Sequence, residues 1–71
     1  DGVALKTVFE EISRQTGYRI QGEYPTQKMY TGTFTSYDLQ EMLELVCLPM
    51  QLHYSIDKKQ KVVTVQPPFN Q

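Results

Sequence analysis

Apolar residues recur at helical spacing twice along this chain, and each time the spacing gives way to alternation. Leu5, Val8, Phe9 and Ile12 stand at i, i+3, i+4 and i+7, and Tyr18 and Ile20 follow two apart. An offset of 34 residues lays these positions onto Leu39, Met42, Leu43, Val46, Leu52 and Tyr54. The pattern predicts a helix followed by a strand, written twice. The residues that line up are packing residues, and no catalytic set repeats or stands apart. An interaction module is therefore expected, not an enzyme.

The first helix is expected over Val3 to Thr16, with Lys6, Glu10, Glu11 and Arg14 on its wet side. Gly17 occupies the place of a left-handed C-terminal cap. Tyr18 to Gln21 alternates and predicts a strand, and Gly22 to Lys28, with Pro25, a connection. Met29 to Thr35 predicts a second strand, with Tyr30, Gly32 and Phe34 on one face and Met29, Thr31 and Thr33 on the other. Thr35 or Ser36 is expected to cap the second helix, since Thr35 and Asp38 have the spacing of a capping box. Pro49 is expected to stop that helix, because proline lacks the amide hydrogen and restricts Leu48 before it. Leu52, Tyr54 and Ile56 then alternate, Asp57-Lys58-Lys59-Gln60 makes a polar turn, and Lys61 to Gln66 forms the last strand of a hairpin. Pro67 and Pro68 end the sheet.

These elements predict an α+β fold of two pseudo-repeated helix–strand units, with both helices packed on one face of a small mixed sheet. One domain is expected over residues 1–66, with 67–71 a loose tail. The first unit lacks the strand that Met29–Thr35 gives the second. Either that strand is truncated or Asp1-Gly2-Val3 is its remnant, and the natural chain is expected to continue upstream.

Composition narrows the function further. A chain of 71 residues builds one core worth only ~3–5 kcal/mol and has little room for a deep, dry site. Its net charge of −1 offers no field for nucleic acid. No apolar run reaches the length of a membrane span, and no signal peptide opens the chain.

The residues that suggest chemistry each have a simpler role. His53, the single histidine, faces away from the Leu52/Tyr54/Ile56 side, and with Cys47 it supplies no zinc-ligand spacing, so no metal is expected. Cys47, near the end of the second helix's stripe, reads as a buried structural thiol, because a reactive one favours a helix N-terminus or a cationic neighbour. Glu10 and Glu11 are adjacent on a helix and do not face each other, and Glu41 and Glu44 form a solvated face. Lys58, Lys59 and Lys61 make a basic hairpin tip of the kind that keeps a sheet edge soluble. Tyr18, Tyr30 and Tyr54 fall on the predicted core face, which argues against base stacking. Gly32 is expected to make room for a helix. No catalytic residue and no cofactor are assigned. One candidate partner contact is the Met29–Thr35 strand, whose outward residues Met29, Thr31 and Thr33 carry no charge to deter strand pairing; the sequence does not say whether it is an edge, and an ordinary paired strand is the simpler reading.

The order Leu-x-x-Val-Phe-x-x-Ile-x-x-x-Thr-Gly-Tyr (Leu5 to Tyr18), Thr-Gly-Thr-Phe (Thr31 to Phe34), Leu-x-x-Met-Leu-x-x-Val (Leu39 to Val46) and Leu-x-Tyr-x-Ile (Leu52 to Ile56) resembles the C-terminal domain of FecR-type anti-sigma regulators, in the form common among Bacteroidetes. That domain is similar to the secretin and TonB-dependent-receptor N-terminal (STN) module, which has two strand–helix–strand halves. The resemblance runs from Val3 to Val65. Thr31-Gly32-Thr33-Phe34 favours the regulator form, while the missing first strand and Pro49 depart from it.

The resemblance implies a place in cell-surface signalling. Such regulators bind a sigma factor in the cytoplasm, cross the inner membrane once, and end in this domain in the periplasm. There they receive a signal from the N-terminal module of a TonB-dependent outer-membrane transporter. By that resemblance the present chain is a periplasmic protein-interaction domain of an inner-membrane protein, without direct membrane contact of its own. The alternative is the N-terminal signalling module of a transporter itself, which a plug downstream in place of a membrane helix upstream would reveal.

Overall fold

The computed structural model describes residues 2–32 and 38–67. The two helices coincide with the repeat: α1 spans Leu5–Thr16 and α2 spans Leu39–Met50, each end displaced by the same offset. Their caps repeat as well. Gly17 closes α1 in the left-handed conformation and donates its N–H to the Ser13 carbonyl, and Gln51 closes α2 in that conformation. After α2, Gln51 N–H donates to Leu48 O (3.0 Å) and Leu52 N–H to Cys47 O (2.9 Å), the paired bonds of a Schellman motif.

The strands are β1 (Val3–Ala4), β2 (Arg19–Gly22), β3 (Met29–Tyr30), β4 (His53–Asp57) and β5 (Val62–Gln66). They form two sheets where one was expected. β1 and β3 make a two-stranded antiparallel sheet, and β5 lies between β2, which it pairs in parallel, and β4, which it pairs antiparallel. The halves are therefore β1–α1–β2 and β3–α2–β4, and β5 joins their second strands. The register places Ile20, Val63 and Ile56 in one row under the helices, and Gly22, Val65 and Tyr54 in the next. Leu5, Phe9 and Ile12 of α1 meet Met42, Leu43 and Val46 of α2 over Val63 and Val65, all buried. Arg19, Gln21, His53, Ser55 and Asp57 populate the opposite, exposed face of the three-stranded sheet.

Several local expectations are corrected. Val3 belongs to β1 and not to the first helix, and the strand that precedes α1 is Val3–Ala4. Helix α1 starts at Leu5 because its first amides find carbonyl partners across space: Leu5 N–H donates to Lys28 O (2.9 Å) and Lys6 N–H to Thr26 O (3.2 Å). The strand expected over Met29–Thr35 is assigned only at Met29–Tyr30; Thr33, Phe34, Thr35 and Ser36 lie outside the described residues. Asp38 caps α2, its carboxylate accepting the Glu41 N–H at 3.0 Å. Pro49 does not stop α2 but sits inside its last turn, and the helix runs on to Met50. Its missing N–H deprives the Leu45 carbonyl of an intrahelical donor, and the Tyr30 hydroxyl donates there at 3.4 Å. Gly32 makes room for the Tyr30 ring, with φ +143 and the Tyr30 hydroxyl 3.2 Å from where a Cβ would stand, and not for a helix.

Candidate interaction surface

Two surfaces carry exposed or recessed apolar groups. The first is the β1–β3 sheet. Alternation turns Tyr30 into the core and leaves Met29 55% exposed, and Thr31 is exposed beyond it. Among the described residues β3 pairs with β1 alone, so its other side is a sheet edge. Thr33, the third residue of the expected set, lies outside the described residues. Val3 in β1 is also 45% exposed.

The second surface follows the helices along the outer strands of the larger sheet. A groove of about 340 Å³ runs between α1 and β2 over Phe9, Glu10, Ser13, Arg19 and Ile20, and Tyr24 closes it. A groove of about 270 Å³ runs between α2 and β4 over Glu44, Cys47, Leu48, Leu52, His53 and Tyr54. Four of these positions correspond through the repeat: Glu10 with Glu44, Ser13 with Cys47, Arg19 with His53, Ile20 with Tyr54. In the first groove Tyr24 stacks edge-on against Phe9 with ring centroids 4.7 Å apart. Burial and then the nearby Glu10 carboxylate push the Tyr24 hydroxyl above its ordinary pKa. Tyr54 is raised for the same first reason, with Glu44 adding to it.

The remaining sequence candidates fall into place around these surfaces. Cys47 is buried, 1% exposed, and burial pushes its thiol up to about 11. A thiol held protonated in this way is a weak nucleophile near neutral pH. His53 stands on the exposed face of β4, and no group of three or more His, Cys, Asp or Glu among the described residues is placed to hold a metal ion. Glu10, Glu41 and Glu44 are exposed along the helices, as a solvated face requires. Glu11 accepts hydrogen bonds from Gln15 and Arg14, which hold its carboxyl below the usual value. Lys58, Lys59 and Lys61 occupy the β4–β5 turn, and the parallel pairing brings Arg19 beside them through its N–H to the Lys61 carbonyl (2.9 Å). Tyr18, Tyr30 and Tyr54 pack into or against the core as expected.

Sequence reasoning missed Leu45 and Leu48, which are 45% and 72% exposed on α2. The signal was present, since both lie off the stripe of Leu39, Met42, Leu43 and Val46.

No described helix is long and apolar enough to cross a membrane. No curated protein and no solved structure shows significant similarity to the chain. The family of FecR C-terminal domains matches it over residues 1–64, a span that takes in both halves of the repeat and β5 through Thr64. The chain therefore belongs to the FecR C-terminal family, a family of anti-sigma regulators that acts in cell-surface signalling.

Proposed function

We propose that this domain is the periplasmic receiving end of a FecR-type regulator, contacting the N-terminal signalling module of a TonB-dependent outer-membrane transporter. The family match across both halves carries this reading. The parent chain, in this reading, is anchored in the inner membrane and controls a sigma factor through a segment on the other side. The domain performs no chemistry on a substrate; it recognises a protein.

The proposed contact is strand pairing at the β3 edge, where Met29 and Thr31 are exposed, with Thr33, outside the described residues, as the third residue of the set. A partner strand added there gains main-chain hydrogen bonds, while the exposed Met29 supplies apolar contact. The edge location of β3 and the absence of charge at Met29 and Thr31 support this site.

The test is capture from a bacterial periplasmic extract with the domain as bait, followed by mass spectrometry. Capture of a TonB-dependent transporter through its N-terminal module is the expected result, and the paired substitutions Thr31→Lys and Thr33→Lys should abolish it. Unchanged capture by that variant would remove the β3 edge from the interface. Capture of a FecR-like regulator instead would place the domain on the transporter's side of the contact.

A further inference from the structure

The internal repeat provides its own control. Positions related by the offset share helix ends, left-handed caps and buried stripes, so the fold makes the same demands of both. On the outward side of α1 stand Glu11, Arg14 and Gln15, with Arg14 and Gln15 both donating to the Glu11 carboxylate. That is how a solvent-facing helix surface is ordinarily built. The corresponding positions of α2 hold Leu45, Leu48 and Pro49. Leu45 is 45% and Leu48 72% exposed, and Pro49 is exposed beside them. Since α1 fills these places with a hydrogen-bonded polar trio, the fold does not require apolar residues there.

The apolar strip continues past Leu48 into the α2–β4 groove, where Leu52 and Tyr54 line its floor. Carboxylates border it. Asp38 caps the helix, Glu41 and Glu44 are exposed along it, and α2 contains no lysine or arginine. An apolar strip inside an acidic margin is complementary to apolar side chains inside a basic one.

We infer that the outward face of α2, centred on Leu45 and Leu48 and bordered by Glu41 and Glu44, is a docking surface for a partner protein that presents apolar side chains rimmed by lysine or arginine. This rests on the reading above and deepens it, giving the transporter's signalling module a second point of contact. The Tyr30 hydroxyl on the Leu45 carbonyl fastens β3 to this helix, so both contact surfaces belong to the second half of the repeat.

The decisive variant is Leu45→Glu with Leu48→Arg, which gives α2 the residues α1 already carries at those places. It is expected to keep the unfolding midpoint of the parent. Two probes are titrated calorimetrically against both proteins: a purified transporter signalling module, and an amphipathic leucine/lysine peptide, with a leucine/glutamate peptide of the same pattern as control. Module and leucine/lysine peptide should each bind the variant about tenfold more weakly or worse, and the acidic peptide should not bind. Should the pair of substitutions unfold the domain, Leu48→Gln alone is expected to weaken both probes about threefold. If the module binds parent and variant equally, the α2 surface is overturned while the family reading stands. If only the basic peptide binds, and does so in the expected pattern, the surface stands and the transporter reading fails. A self-associating parent that the variant renders monomeric in sedimentation would overturn the occupant, assigning the face to a second copy of this chain.

Discussion

Gly22 ends β2 opposite Val65, where the chain has φ +124 and an added Cβ would lie 2.0 Å from the Val65 carbonyl oxygen. Glu23 N–H donates to that oxygen at 3.0 Å, so the close approach closes the parallel pairing. Gly22→Ala must push β2 away from β5 or abandon the conformation, at about 3 kcal/mol or more. That is most of the ~3–5 kcal/mol such a small core supplies. Urea unfolding should show a largely unfolded variant at 25 °C, and an unchanged midpoint would refute the geometry. Cys47 makes a second residue-scale prediction. Its thiol ordinarily titrates near 9.0 and is pushed up to about 11 by burial. Between those values the unfolded chain releases a proton that the folded chain keeps, so this contribution to stability is complete below pH 9 and is lost as pH rises toward 11. Tyr24 and Tyr54, also raised by burial, act in the same direction at the upper end. Urea midpoints should therefore fall from pH 8 to pH 10, and Cys47→Ala should flatten the drop. A variant with the same drop would show that the thiol is not protected in the folded state.

At the scale of elements, the Pro49–Tyr30 relation is the sharpest case. Proline removes the donor for Leu45 O, and a side chain from strand β3 supplies a replacement. Tyr30→Phe should then cost about 1 kcal/mol in the parent, and clearly less in a Pro49→Ala background where the helix satisfies its own carbonyl. Equal costs in both backgrounds would mean that the hydroxyl does not serve Leu45. The same case marks where local sequence stops being informative. Both helices, their buried stripes and the Gly17 cap were legible, because spacing and glycine act over a few residues. The start of α1 at Leu5 was not, since its amides are satisfied by the carbonyls of Thr26 and Lys28, a long way along the chain. Nor was the parallel pairing of β2 with β5, which separates the strands into two sheets. The edge at β3 was legible as an uncharged strand, although not as an edge. Leu45 and Leu48 were hidden by merging with the neighbouring core stripe, and aligning them with Glu11 and Arg14 reveals them.

At the scale of the molecule, two nearly equivalent halves divide the labour. Both contribute to one core, and β5 ties their second strands into one sheet. Beyond the core they differ: the first half turns a hydrogen-bonded polar trio to solvent, and the second turns out leucines next to an uncharged strand edge. The receiving role proposed above needs a stable frame and one recognition side, and this division would supply both. The central claim is that partner contact belongs to the second half. It is tested most directly by mapping amide chemical shifts of the labelled domain during titration with a transporter signalling module. The account predicts changes at Met29, Thr31, Glu41, Leu45 and Leu48, while Glu11, Arg14 and Gln15 stay fixed. Changes centred on α1, or spread equally over both helices, would contradict it.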